Sequence, residues 1–295
     1  MNRKPSIRWF PIFFGKICFI KSTFLLLISA MIFPGLLIAQ EEKEKTADEI
    51  AQELSNPVGA LASLILQGNY VQWGGSAPDI EAQNTSTVTF LPTIPVPLTK
   101  GNLIFRPIIP FSSGLSFKNG RWEKESGVGD IGLIAMYGYN FEGGIVLGGG
   151  MNVLFPTASK PSIGSSQYQI GPAAVFAFIR KWGVVGGLWQ HYFGVGNLDE
   201  DIDRVNLGTF QAFYWFGVGS GWQIGGSPTM TANYVGGIDT NYSIPVNLGI
   251  AKTVILGKMP LKLTVQGQYF LTRPDVAGAS WGVFFQITPV VKLPW

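Results

Sequence analysis

Cysteine, charge and long hydrophobic runs are all scarce in this sequence. The 295 residues hold one cysteine, Cys18, and a single histidine, His191. Cys18 falls in a leader segment, which leaves the rest of the chain without disulfides or thiol chemistry. Only 13% of residues are charged, where a soluble domain carries about 25%. Beyond the leader no segment approaches about 18 unbroken apolar residues, which excludes helical membrane spans.

The first 39 residues contain no acid. Arg3, Lys4, Arg8, Lys16 and Lys21 give a basic start, and 23–39 is an apolar run broken by Pro34, with Ala39 before Gln40 as the expected cut. This is the order of a secretory signal peptide; the competing reading is an uncleaved anchor helix. Without the leader's five basic residues, 16 Lys and Arg stand against 18 Asp and Glu, a balance of about −2. The basic character thus belongs to the leader, and no nucleic-acid partner is expected.

What the chain does have is period-2 alternation. In 261–272, Leu261, Leu263, Val265, Gly267, Tyr269 and Leu271 make one face, while Lys262, Thr264, Gln266, Gln268 and Thr272 dominate the other. That is a β-strand with one apolar and one wet side. The pattern recurs in twelve candidate strands: 62–74, 85–98, 102–116, 127–139, 144–157, 167–180, 183–195, 204–217, 221–236, 241–255, 260–273 and 280–292. Each reaches the about 9–11 residues that cross a bilayer at a tilt. Tight connections (99–101, 140–143, 181–182, 219–220, 257–259) alternate with longer ones (75–84, 117–126, 158–166, 196–203, 237–240, 274–279). Short turns at one end, long loops at the other and an even strand count predict an all-β fold, an antiparallel transmembrane barrel of about twelve strands over 61–295. Strands near Ile104, Ile131 and Phe210 are apolar on both sides and leave their facing open.

Between leader and barrel, 40–60 reads as a charged lead-in and a short periplasmic helix. Thr46 and Glu49 form a capping box, Ala47, Ile50, Ala51 and Leu54 share a face, and Asn56-Pro57 ends the helix. It could plug the barrel or simply hang beneath it. Ten prolines, among them Pro92, Pro107, Pro172, Pro228, Pro245 and Pro289, oppose a regular wall. A closed barrel has no edge to receive them, so they must mark bulges, kinks or the rim.

Short motifs match this chain to a known family. Asn56-Pro-Val58, Gly127-Val-Gly-Asp-Ile131, Leu154-Phe-Pro-Thr-Ala158, Ile170-Gly-Pro172, Leu188-Trp-Gln-His191, Ile244-Pro-Val-Asn-Leu-Gly249, Gly257-Lys-Met-Pro260, Arg273-Pro-Asp275 and Ser280-Trp-Gly282 follow in order. In this order the chain resembles the bacterial outer-membrane barrel transporters labelled MetA-pathway of phenol degradation, often miscalled neuromedin U. The resemblance runs from about Leu54 to Val291. It implies passage of small, aromatic or apolar compounds and no catalytic residue. The aromatic last residue, Trp295, suits the outer-membrane assembly machinery, though Pro294 interrupts the family's usual ending.

His191 is the first enzymatic suspect. Outer-membrane lipases and deacylases resemble one another in placing Ser two residues after a strand His; here that place holds Phe193, so the nucleophile is missing. Asp130 is expected to pair with Arg106 or Arg180 across the lumen. Asp199, Asp201 and Asp203 have calcium-loop spacing, but Arg204 stands where glycine is needed, so no metal is expected. The chain therefore predicts no enzyme and no cofactor. It predicts an outer-membrane channel for passive diffusion, lined by Thr87, Thr89, Arg106, Asp130, His191, Gln223, Thr229, Asn233, Asn247, Lys262, Gln266 and Gln268. Lipid, the assembly machinery and a small solute are its expected partners. A sealed barrel serving as an anchor or surface-interaction protein and an outer-membrane hydrolase are the other readings.

Overall fold

Alternating β-branched, aromatic and polar residues, punctuated by glycine-rich turns, commit most of the chain to strands. The computed structural model describes residues 45–196, 203–235 and 241–293. The predicted leader, most of the lead-in, Asp199, Asp201, the 237–240 connection and Trp295 lie outside the described residues. One helix, α1 (Ala47–Glu53), precedes β1 (Ala62–Gly74), β2 (Asn84–Pro97), β3 (Asn102–Lys118), β4 (Arg121–Val128), β5 (Ile131–Phe141), β6 (Ile145–Phe155) and β7 (Tyr168–Arg180). Then come β8 (Gly183–Val195), β9 (Asn206–Gly219), β10 (Trp222–Gly226), β11 (Thr229–Asn233), β12 (Asn241–Leu256), β13 (Met259–Thr272) and β14 (Gly278–Val291).

All form one antiparallel sheet, and β1 pairs with β14 from Ala62↔Val291 to Gly74↔Gly278, which closes it. β4 and β5 both pair with β3 and make one wall strand interrupted at Gly129-Asp130. β10 and β11 both lie between β9 and β12 and make another, interrupted at Ser227-Pro228. Counted this way, the wall is a closed twelve-strand barrel. One predicted loop is corrected. Residues 117–126 form the tip of a β3–β4 hairpin, turned at Asn119 (φ 51°) and Gly120 (φ 77°). Asn-Gly is the favoured pair for a two-residue turn with both φ positive.

On β13 the inward Lys262, Thr264 and Gln266 are buried while Leu263, Val265, Tyr269 and Leu271 stand exposed. On β5–β8 the half nearest the tight turns is apolar on both faces, and the buried polar Asn152, Gln169 and Gln190 follow toward the other end. Tyr137, Leu147, Met151, Phe176, Phe178 and Trp189 point out; Ile134, Met136, Val146, Val175, Val184 and Leu188 point in. The inward set joins Val58, Ile104, Phe213 and Trp215 in one buried cluster.

Six of the prolines sit where a ladder fails. Pro92 and Pro107 fall opposite each other in a gap of the β2–β3 pairing, between Phe90↔Ile109 and Ile94↔Phe105. Pro289 sits in the β1–β14 gap between Ser63↔Val290 and Leu66↔Ile287, Pro245 at a register shift, and Pro228 at the β10/β11 interruption. Pro172 lies in the β7–β8 gap between Ile170↔Phe193 and Ala173↔Gln190, facing His191. Pro172 has no N–H to give; Asn152 of β6 reaches over Gly171 and donates to the His191 carbonyl at 3.0 Å. A Cβ on Gly171 would lie 1.9 Å from that oxygen. A buried carbonyl must find a donor, and here it is borrowed from a strand two places away.

Candidate solute pathway

The N-terminal segment lies across the end of the barrel that carries the tight turns. Its capping box forms as predicted: the Glu49 amide donates to the Thr46 hydroxyl at 3.2 Å, and the Thr46 amide to the Glu49 carboxylate at 2.8 Å. From there the segment touches the rim in succession. The Asp48 carboxylate accepts from the Gly221 amide at 2.6 Å, and the Gln52 amide donates to the Arg180 carbonyl. Lys262 Nζ donates to Ser55 Oγ at 2.8 Å, Asn56 bonds Asn140 at 3.3 Å, and Asn102 Nδ2 donates to the Val58 carbonyl at 3.0 Å. Val58 is fully buried against Gly138, where a Cβ would meet it at 2.4 Å. The predicted helix is thus seated as a plug.

Beyond the plug the inward side chains form a packed layer and then a chamber. In the layer Gln266 accepts from the Ser227 amide at 2.8 Å and from Asn247 Nδ2 at 3.3 Å, Gln223 accepts from Ser55, and Lys262 stands 5.4 Å from the Trp215 ring. One step further from the turns along the same strands, a cavity of about 300 Å³ opens. Gln67, Asn69, Thr87, Thr89, Gln211, Ser227, Thr229 and Gln268 line it, together with Pro245, Phe270 and Phe284. The structure therefore places Thr87, Thr89, Thr229 and Gln268 in the chamber, and Gln223, Asn247, Lys262 and Gln266 in the layer beneath. Asn233 ends β11 near the long loops. Sequence reasoning missed Gln67, Asn69 and Gln211. The first two alternate with Leu66, Gly68 and Tyr70 and were legible; Gln211 sits on a strand apolar on both sides.

At the opposite end the 156–167 connection folds against the inner face of the β3–β4 hairpin. Gly114 and Gly127 leave room for it: a Cβ there would lie 2.0 Å from the Ser162 carbonyl and 2.1 Å from Ser159 Oγ. Asp130 pairs with neither Arg106 nor Arg180, which corrects the expected ion pair. Its carboxylate accepts from the Ala158 amide (3.1 Å), the Ser165 amide (2.7 Å) and the Ser165 hydroxyl (2.8 Å), and so ties this loop down. Arg180 is at the tight-turn end of β7, and Arg106 donates to Thr93 Oγ1 at 3.2 Å. The Ser162 hydroxyl, bonded to Glu125 at 2.7 Å, holds that carboxyl below the usual carboxylate range. Desolvation opposes the shift, while Lys160, at 3.6 Å, and Lys118 add to it.

His191 does not face the lumen. Its neighbours Gln190 and Tyr192 are buried and bonded to each other, whereas Trp189 and Phe193 are exposed, and His191 shares their outward side. Its ring stacks on Phe193 (4.2 Å) and Tyr234 (5.8 Å), and Nε2 meets Asn206 Oδ1 at 2.8 Å. The alternation placed it correctly on a strand; the parity of β8 decides the face.

No protein-family model matches the chain, and no curated protein matches it. Among solved structures it is similar to an outer membrane channel from Pseudomonas putida F1, with 15% identity, a TM-score of 0.56, and 86% of this chain and 100% of that one covered. The β domain of a Bordetella autotransporter matches at 9% identity and a TM-score of 0.42, covering 78% and 100% of the two chains. Outer membrane phospholipase A from Escherichia coli matches at 12% identity and a TM-score of 0.36, covering 84% and 99%. The first likeness is one of fold; the other two are too remote to carry an argument.

Proposed function

We propose that the chain is an outer-membrane channel for small solutes, exported by its leader and closed in this conformation by its N-terminal segment. One observation carries the reading: the wall turns a largely apolar surface outward and encloses a polar chamber. Leu64, Val88, Phe111, Phe176, Leu248, Val265 and Phe285 are all exposed on different strands. A protein surrounded by water rarely exposes so extensive an apolar surface, whereas lipid requires one. Lys252 fits the same picture, lying over the outward Trp222 at 4.8 Å and donating to the Ser220 carbonyl at the rim. Lipid is then the partner of the outer face, and the assembly machinery that of the closing strand. The family resemblance implies aromatic or apolar solutes; the chamber lining of amides and hydroxyls favours a solute that also carries hydrogen-bonding groups.

Passage is passive diffusion, and it requires the plug to leave its seat. Purified protein in planar bilayers tests this: deletion of 45–58 is expected to raise single-channel conductance several-fold over the intact chain. A second reading, a sealed barrel that anchors or presents its loops, draws on the plug's contacts around the rim. Absence of conductance steps from both proteins would select it.

A further inference from the structure

The chamber lining differs from that of an apolar binding pocket. Most of its side chains are amides and hydroxyls, with Phe270, Phe284 and Pro245 gathered on β12–β14. No charged side chain is among them. A charged guest would leave water for a site without a counter-charge, which is costly. A purely apolar guest fails for the opposite reason. Thr89, Gln211 and Thr229 make no side-chain hydrogen bond among the described residues, unlike Gln67, bonded to Gln286, and Thr87, bonded to Ser112. Covering these three groups with hydrocarbon would strip their water without replacing it. They stand on β2, β9 and β11, on either side of the phenylalanines of β13 and β14 around the wall. Aromatic faces carry a negative quadrupole that attracts the polarised C–H edge of a ring. The volume of about 300 Å³ lies at the lower end of small-molecule sites.

From this we infer that the chamber binds a neutral, hydroxyl-bearing ring of monosaccharide size, its face on Phe270 and Phe284 and its hydroxyls toward Thr89, Gln211 and Thr229. The inference deepens the channel reading and rests on it for access of the solute to the lumen. Equilibrium dialysis of the detergent-purified barrel with radiolabelled glucose tests it. Glucose is expected to bind at least about tenfold more tightly than glucuronate, glucosamine or toluene compete, and Gln211→Leu with Thr229→Val to weaken it by about tenfold or more. Equal competition by either charged relative or by toluene overturns it, as does unchanged affinity in a double variant that folds. If the variant does not fold, the competition series on the natural protein decides. Conductance of the same preparation and of the protein lacking 45–58 separates the two ideas. Steps without glucose binding overturn the solute class alone; glucose binding without steps supports the chamber and overturns the channel.

Discussion

On β12, β13, β14, β1 and β2 the inward row is mostly polar, with Asn247, Thr253, Lys262, Thr264, Gln266, Gln286, Thr288, Ser63, Gln67, Asn69, Thr87 and Thr89 outnumbering Pro245, Ala251, Phe270 and Phe284, whereas on the turn-side half of β5–β8 it reads Ile134, Met136, Val146, Ala173, Val175, Ala177, Val184 and Leu188, with the polar Asn152, Gln169 and Gln190 following toward the long loops. The outward rows of both regions are alike in their apolar residues. On the proposed membrane reading the first region separates lipid from a hydrated or hydrogen-bonded space, so its sequence alternates. The second then separates lipid from a packed apolar cluster, so both neighbours of the wall are apolar and the alternation fades, much as it does in a strand buried on both faces. A barrel wall can therefore change rule around its circumference without changing its backbone.

A cation introduced inside each region should break this comparison or sharpen it. Val175→Lys puts an ammonium into the buried cluster and is expected to destabilise by about 3 kcal/mol. Thr229→Lys, facing the chamber, is expected to cost less than about 1 kcal/mol. Urea midpoints of the detergent-folded protein would measure both, and equal costs would erase the distinction between the two regions. The proline gap of the apolar region gives a smaller effect. Gly171→Ala drives a Cβ against the His191 carbonyl and is expected to cost about 2 kcal/mol, and Asn152→Ala, which leaves that carbonyl without its donor, about 1 kcal/mol. Substitution of Ala at Gly149, whose nearest neighbour to a Cβ is 3.9 Å away, provides the control.

The smallest effect lies outside the membrane wall. Because the Glu125 carboxyl is held below its ordinary range in the folded protein, its contribution is fully present above the unfolded value, about 4.3, and is lost as pH falls through the folded value. Protease cleavage in the 156–167 connection is expected to quicken below that pH, and Glu125→Gln to cleave quickly at every pH. A pH-independent rate in the natural protein would show that Glu125 does not hold the loop.

The barrel was legible because alternation, turn length and the eviction of charge from the strands all report one wall. Strand limits were recovered to within a few residues on β1, β7, β8 and β13. The β4 strand was missed because Lys118 to Glu125 looks like a charged loop, although Asn119-Gly120 announced a hairpin. Half of the chamber was readable from Thr87, Thr89, Thr229 and Gln268. Gln211 was hidden by the two apolar faces of β9, and Asp130 was misassigned because an acid in a strand suggests a basic partner. Its three donors are a backbone amide from Ala158 and the amide and hydroxyl of Ser165, which carry no charge to read. The short motifs gain sense in three dimensions: Gly127–Ile131 meets Leu154–Ala158 through Asp130, and Ile170–Pro172 meets Leu188–His191 through Asn152.

The seat of Val58 has a consequence for the order of assembly. Asn102, Gly138 with Asn140, Arg180, Gly221 and Lys262 come from five hairpins, and the bond between Ser55 and Lys262 spans 207 positions of the chain. Until the late hairpins are in place there is nothing for the stopper to fit. The stretch that leaves the ribosome ahead of the wall is thus among the last to find its position, and the vessel is built open before it is corked.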